Sequence, residues 1–292
     1  MSRLPVTLLC LAALLAPAAS LARDKHVLWS VQGRHNTVYL LGSIHLLRPQ
    51  DGGLPDAAQR AYEDAEQLVM EIDLDDPGET DPMAMLAEMQ RLAVLPAGQS
   101  LRSVLGADYD DVNARARAAG LDLALVDTFA PWFVATTILQ LELAKRGFSP
   151  ELGIEQILAK RAAGDDKPIR GLETSAEQFA LLAEMPLPLQ KRFLMMTLEE
   201  SDQIDAQVGE LVEAWRHGDL KRLAELLSGE FEEFPDLYRR LTVDRNRAWI
   251  GPLVELLDDR DDYLVVVGAL HLVGEDSVID LLEQRGFDAV QQ

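Results

Sequence analysis

A chain of 292 residues with 48% hydrophobic and 26% charged side chains has enough material for one large buried core, or a core domain with an insertion. Its 27 basic against 49 acidic residues give a formal charge of −22, and a surface that acidic repels phosphate backbones and anionic lipid, so nucleic acid is not expected as a partner. The single cysteine, Cys10, falls in an N-terminal stretch with the form of an export signal, which leaves the rest without disulfide, thiol nucleophile or cysteine metal ligand. That stretch joins a positive start, Met1-Ser2-Arg3, to an apolar run from Leu4 to Ala16 and small residues suited to cleavage near Ser20 or Ala22. The apolar run is too short to span a bilayer. The expected product is one domain over residues 23–292, periplasmic or secreted, with no stable membrane insertion; oligomeric state is not legible.

Val27 to Val31 and Thr37 to Leu41 flank a polar Gly33-Arg34-His35-Asn36 turn and predict an opening hairpin. The second strand runs into Gly42-Ser43-Ile44-His45. A helix follows over Leu54 to Glu66, then a strand from Gln67 to Leu74, and this strand–helix–strand order predicts a parallel pair with a right-handed crossover. Alternation puts Glu71 and Asp73 on one face of that strand. From about 80 to 234 the pattern is helical, a candidate insertion, with breakers such as Leu95-Pro96-Ala97-Gly98 and Met185-Pro186-Leu187-Pro188. Inside it, Lys167 to Thr174 reads as a short strand. There Glu173 either opens the next helix or stands at a strand end as Glu71 does. A single long helix is expected from Phe234 to Leu257, carrying Arg245 and Trp249 on one face. Leu264-Val265-Val266-Val267 then reads as a strand buried on both faces, ending in Gly268-Ala269-Leu270-His271. A last helix and a short strand near Asp288-Ala289-Val290 close the chain. The fold class is α/β: a central mostly parallel or mixed sheet with a large helical insertion.

The glycine-x-x-histidine pattern occurs twice, at the ends of look-alike strands. In an open α/β sheet the carboxyl ends of parallel strands share one rim, and ligands bind in the crevice outside it. His45, Glu71 with Asp73, Glu173 and His271 would meet there, a donor set that suits a divalent metal or paired acid–base chemistry. Gly42 and Gly268 would let the backbone turn sharply and approach a bound group closely.

These motifs resemble the TraB/GumN family, which includes the TIKI proteases. The resemblance rests on Gly42-Ser43-Ile44-His45, Met70-Glu71-Ile72-Asp73, Leu95 to Leu101, Pro131-Trp132-Phe133, Gly153-Ile154-Glu155, Gly171-Leu172-Glu173-Thr174, Arg245-Asn246 and Gly268 to Gly274, in family order across nearly the whole chain. It implies a fold like the erythromycin esterase and ChaN-like proteins. It also implies an active site of His45, Glu71 and His271, with Glu155, Glu173, Arg245 and Asn246 as neighbours. Three functions follow. In the first, an exported, metallopeptidase-like hydrolase acts on a peptide or other small substrate. His45 and His271 hold manganese, cobalt or zinc, Glu71 completes the coordination or acts as general base, and Arg245 stabilises the oxyanion. In the second, a metal-independent esterase-type hydrolase uses His45 as base and Glu71 as its orienting partner. The third is a non-catalytic binding protein for a peptide, haem or polysaccharide fragment.

Overall fold

The computed structural model describes residues 25–201, 204–229, 231 and 234–292, so the expected export signal and Cys10 lie outside the described residues. Strands β1 (Leu28–Gln32) and β2 (Thr37–Ser43) form the expected antiparallel hairpin. They are followed by β3 (Gln67–Ile72), β4 (Ile169–Glu173), β5 (Tyr263–Gly268) and β6 (Ala289–Gln291). All six lie in one mixed sheet in the order β4-β3-β5-β2-β1-β6. The pairs β2·β5, β5·β3 and β3·β4 are parallel, while β1·β2 and β1·β6 are antiparallel.

The helix Asp56–Asp64 joins β2 to β3, and both strands run the same way, yet they do not pair. The late strand β5 lies between them. All six of its residues are buried, as a run without polar alternation requires: it needs neighbours at both edges and cover on both faces. The central slot is the place that provides them.

The helical region divides at β4, the strand expected over Lys167 to Thr174, into two crossovers, residues 77–165 between β3 and β4 and residues 175–257 between β4 and β5. The main core packs on the sheet and includes Leu40, Leu68, Val265, Trp215, Leu253 and Leu158. Further apolar clusters sit among the helices, one around Leu101, Tyr109, Ile138 and Leu194, another around Trp132, Met185 and Phe234 and a small one of Leu143, Phe148 and Ile204. His217 Nδ1 donates to the carbonyl of Glu213 at 2.8 Å and caps the end of the helix Ile204–Arg216. No described helix is long and apolar enough to cross a membrane.

The helix expected over Phe234 to Leu257 is interrupted. A short helix Pro235–Tyr238 passes into a π-helical turn, Arg239–Val243, before the helix Asp244–Leu257 begins. Such turns insert a residue into the helical register and re-aim the side chains that follow. Here Arg245 is the second residue beyond the turn.

Candidate active site

Parallel pairing aligns the carboxyl ends of β2, β5, β3 and β4 along one rim, with Ser43 beside Gly268 and Ile72 beside Glu173. The turn after β2 is held tightly. A Cβ on residue 42 would sit 2.5 Å from Val27 Cγ1 and 3.1 Å from Ala269 Cα, and the Gly42 carbonyl accepts the indole N–H of Trp215 at 2.7 Å. Gly42 therefore lets the two glycine–histidine turns pack against each other. It does not face a ligand. Beyond it, His45 Nδ1 meets Glu155 Oε1 at 2.7 Å, and the Ser43 hydroxyl donates to the same oxygen. Glu155 comes from the first turn of the helix Ile154–Asp165. That helix can come so close because a Cβ on Gly153 would lie 2.1 Å from the His45 carbonyl oxygen. The charge of Glu155 raises the pKa of His45 to about 9; burial opposes this, while the hydrogen bond to Glu155 and the charge of Glu71 add to it. At neutral pH His45 is an imidazolium.

Arg245 is the centre of the second arm. Its Nη2 donates to Glu71 Oε2 at 2.6 Å and to Glu173 Oε1, its Nε to Glu173 at 3.1 Å, and its Nη1 to the Leu241 carbonyl at 2.8 Å and His271 Nε2 at 3.0 Å. A guanidinium has five N–H donors, and all five are spent within the protein. Arg245 thus cannot also meet a substrate oxyanion, as the sequence led us to expect. It holds two carboxylates together and stacks 4.8 Å from the Trp249 ring one helical turn on. The amide of Gln178 bridges the same carboxylates, at 3.0 Å from Glu71 Oε2 and 2.7 Å from Glu173 Oε1. The other oxygen of Glu71 accepts the Gly268 N–H at 2.7 Å. Burial works against ionisation of Glu71, but His271, His45, Arg245 and this N–H outweigh it and hold the pKa at about 2. Of these neighbours, His45 and Arg245 carry the charge.

His271 stands in a different environment. It is 4% exposed, and burial drives its pKa down to about 3; Glu71 opposes the shift, and Arg245 and His45 reinforce it. Because Arg245 can only donate, His271 Nε2 must accept, which places the proton on Nδ1. Nδ1 donates to Asn246 Oδ1 at 2.6 Å, and the Asn246 amide donates onward to the Asp276 carbonyl at 2.8 Å. The imidazole lies 4.5 Å from the Trp249 ring. Asn246 is fully buried, so it orients His271 and is out of reach of a substrate. Asp73, expected at the rim, instead accepts the backbone N–H groups of Asp75 and Asp76 and shapes the turn after β3.

His45 and Glu71 converge across Gly268. The point where a Cβ on residue 268 would begin lies 3.2 Å from His45 Nε2 and 3.3 Å from Glu71 Oε1. Both side chains line a cleft of about 390 Å³ that also contains Glu155, Gln156 and Gln178. A larger cavity of about 520 Å³ lies beyond Arg245 and Glu173, but neither His45 nor Glu71 lines it. Gln178 and Ser43 are site residues that motif reading did not single out. Ser43 sits inside the first motif, whereas nothing in the spacing marks Gln178.

The trio His45, Glu71 and His271 does not fit a metal as arranged. Among the described residues no three histidine, aspartate or glutamate side chains are grouped as ligands. The lone pair of His271 Nε2 and the outer oxygen of Glu71 are both taken by the Arg245 cation, which repels a second one.

The sequence model of the TraB/PrgY/gumN family matches residues 27–291. The chain belongs to the TraB/PrgY/gumN family. Within reach of this TraB/PrgY/gumN chain are an uncharacterised protein, YbaP, of Escherichia coli (strain K12), 26% identical over 84% of this chain and 87% of that protein, and a YbaP of Shigella flexneri, 25% identical over 89% and 94%. The Metalloprotease TIKI2 of Xenopus tropicalis is 24% identical over 89% of this chain and 58% of its own length. No solved structure matches the chain, so its α/β class rests on the sheet described above.

Proposed function

We propose that the chain is a hydrolase of amide or ester bonds, acting after export on a peptide-like substrate, with Glu71 and His45 as its acid–base pair. The observation that carries this is the convergence of His45 Nε2 and Glu71 Oε1 on one point beside an open cleft, with their pKa values pushed to about 9 and about 2. Titratable neighbours driven apart in this way divide the work: the group held protonated gives a proton, and the group held ionised takes one. Likeness to a relative named a metalloprotease supports the peptidase-like half of the reading.

In the proposed step a water between the two groups attacks the substrate carbonyl carbon. Glu71 accepts the water's proton as the C–O bond forms. The His45 Nε2–H meets the developing oxyanion and then gives its proton to the leaving nitrogen or oxygen as the scissile bond breaks. The proton on Glu71 returns to His45 and restores the pair. Glu155 is the partner that orients His45 and stabilises its cationic form, a role the sequence had assigned to Glu71. Arg245, with Glu173 and Gln178, keeps Glu71 ionised and fixed. The mechanism runs through no metal, because Arg245 already supplies the positive charge beside Glu71 and His271.

The test is hydrolysis of a mixed peptide and ester panel by the purified chain, before and after exhaustive chelation. Activity should survive chelation and fall by about 10²- to 10⁴-fold in both His45→Ala and Glu71→Gln. Undiminished hydrolysis in either variant sinks the assignment. As His45 must be protonated, kcat/KM should decline as pH rises through about 9; a rate that climbs through that pH would make His45 a base.

A further inference from the structure

The cleft beside the acid–base pair has one polar wall and one apolar wall. The apolar wall is formed by Met70, Ile72 and Leu74 on and beyond β3, Met85 from the helix Pro82–Ala93, and Pro150. We propose that this wall is a specificity subsite for one uncharged apolar side chain of a peptide substrate, of leucine, methionine or phenylalanine size, next to the scissile bond. This rests on the hydrolase reading.

Charge decides the class of occupant. Two carboxylates face the cleft, and each is already satisfied. Glu155 is paired with His45 and Ser43, and Glu71 with Arg245, Gln178 and the Gly268 N–H. A lysine or arginine side chain entering here finds no free anion and would lose hydration with no partner to replace it. An aspartate or glutamate meets the two existing carboxylates, and the cation it could reach, the His45 Nε2–H, is engaged by the carbonyl of the scissile bond in the proposed step. An apolar side chain loses nothing and covers Met85 and Leu74, which are half-buried without it.

The wall also sets the breadth of the preference. Two of its five residues are methionines, unbranched and polarisable, which repack around different apolar shapes. Met70 is 1% exposed and forms a fixed floor, whereas Met85 is half-buried on a helix at the mouth and is free to adjust. A subsite of this kind separates apolar from charged side chains sharply, and leucine from phenylalanine only weakly. The larger cavity beyond Arg245 is mixed: charged groups such as Glu177, Glu184 and Arg240 line it together with Leu172, Leu181 and Trp249.

The experiment measures binding and turnover separately on the full chain. Chemical-shift titrations with N-acetyl-leucinamide, N-acetyl-lysinamide and N-acetyl-aspartamide report the subsite without requiring catalysis. The leucine compound should bind at least about tenfold more tightly than either charged one, the discrimination expected of a desolvating apolar pocket. Met85→Asp should abolish the difference, and Met85→Leu should preserve it. Equal binding across the three compounds, or discrimination unchanged in Met85→Asp, overturns the proposal. In parallel, peptides varied at a single position are offered for hydrolysis. If none is cut while the leucine compound still binds selectively, the hydrolase reading fails and the subsite stands. If peptides are cut without regard to the side chain, the reverse holds.

Discussion

The two glycine-x-x-histidine turns end neighbouring parallel strands and touch each other through Gly42 and Ala269, yet their histidines are in opposite states. The ring of His45 is 59% exposed, faces a carboxylate and is charged. That of His271 is buried between Asn246, Arg245 and Trp249 and is neutral. The backbone motif is shared, so it cannot be the source of the difference. The partners are: an anion supplied by the helix that begins at Gly153 in one case, an amide and a guanidinium supplied by the helix Asp244–Leu257 in the other. One turn presents a proton to the cleft, and the other fixes the cation that keeps Glu71 ionised.

The strongest way to break this division is to remove the cation. Arg245→Ala would leave Glu71 and Glu173, 12% and 10% exposed, sharing Gln178, with His45 as the one charged neighbour left to Glu71 and none bonded to Glu173 among the described residues. We expect a loss of about 3–5 kcal/mol in urea unfolding, the cost of stranding buried charge. A change below about 1 kcal/mol would show that the carboxylates do not depend on Arg245. Next, the two histidines should separate in activity when replaced. His45→Ala should cost about 10²- to 10⁴-fold in kcat/KM, and also the stability that the pair with Glu155 contributes, since Glu155 keeps only the Ser43 hydroxyl. His271→Ala should cost about 1–3 kcal/mol of stability, because it leaves Asn246 and an Arg245 N–H unpaired inside the protein. If His271→Ala removed activity at full stability, His271 would belong with His45. The smallest effect is also the most specific. In Glu155→Gln, the pKa of His45 followed by NMR should fall from about 9 toward 6.5. The sign for stability follows from a pKa raised by folding: the wild-type pair contributes fully below about pH 6.5 and loses that contribution as pH rises through about 9, a loss that Glu155→Gln should not show.

The hairpin, β3, β4, β5 and the strand-end positions of His45, Glu71, Glu173 and His271 were legible because each depends on a local run of apolar residues and the glycine or acid that ends it. What those side chains touch was not. Glu155 and Gln178 reach the site from helices whose placement depends on packing across the sheet, and no spacing in the chain encodes that distance. Arg245 was legible as a nearby cation, but its role turns on how many of its donors remain free, which only the fold reveals. The π-helical turn that aims it reads in the sequence as uninterrupted helix. Asn246 and Gly42 lie in the short motifs on which the resemblance rested, and in the fold Asn246 holds His271 while Gly42 lets the two turns pack together. Pairing of β2 with β3 was the natural inference from chain order; it failed because a later strand, more completely apolar, occupies the slot between them.

The central position of β5 has a temporal consequence. Its partners β2 and β3 are made early, but the strand that joins them, and with it the Gly268 N–H that anchors Glu71, arrives more than 190 residues after β3 begins. Contacts so distant in sequence form late, since the intervening chain must be ordered first. A growing or truncated chain that lacks its last thirty residues holds His45 and Glu155 but has neither His271 nor the backbone that seats Glu71. The seat of Glu71 is therefore assembled only once β5 has docked between β2 and β3.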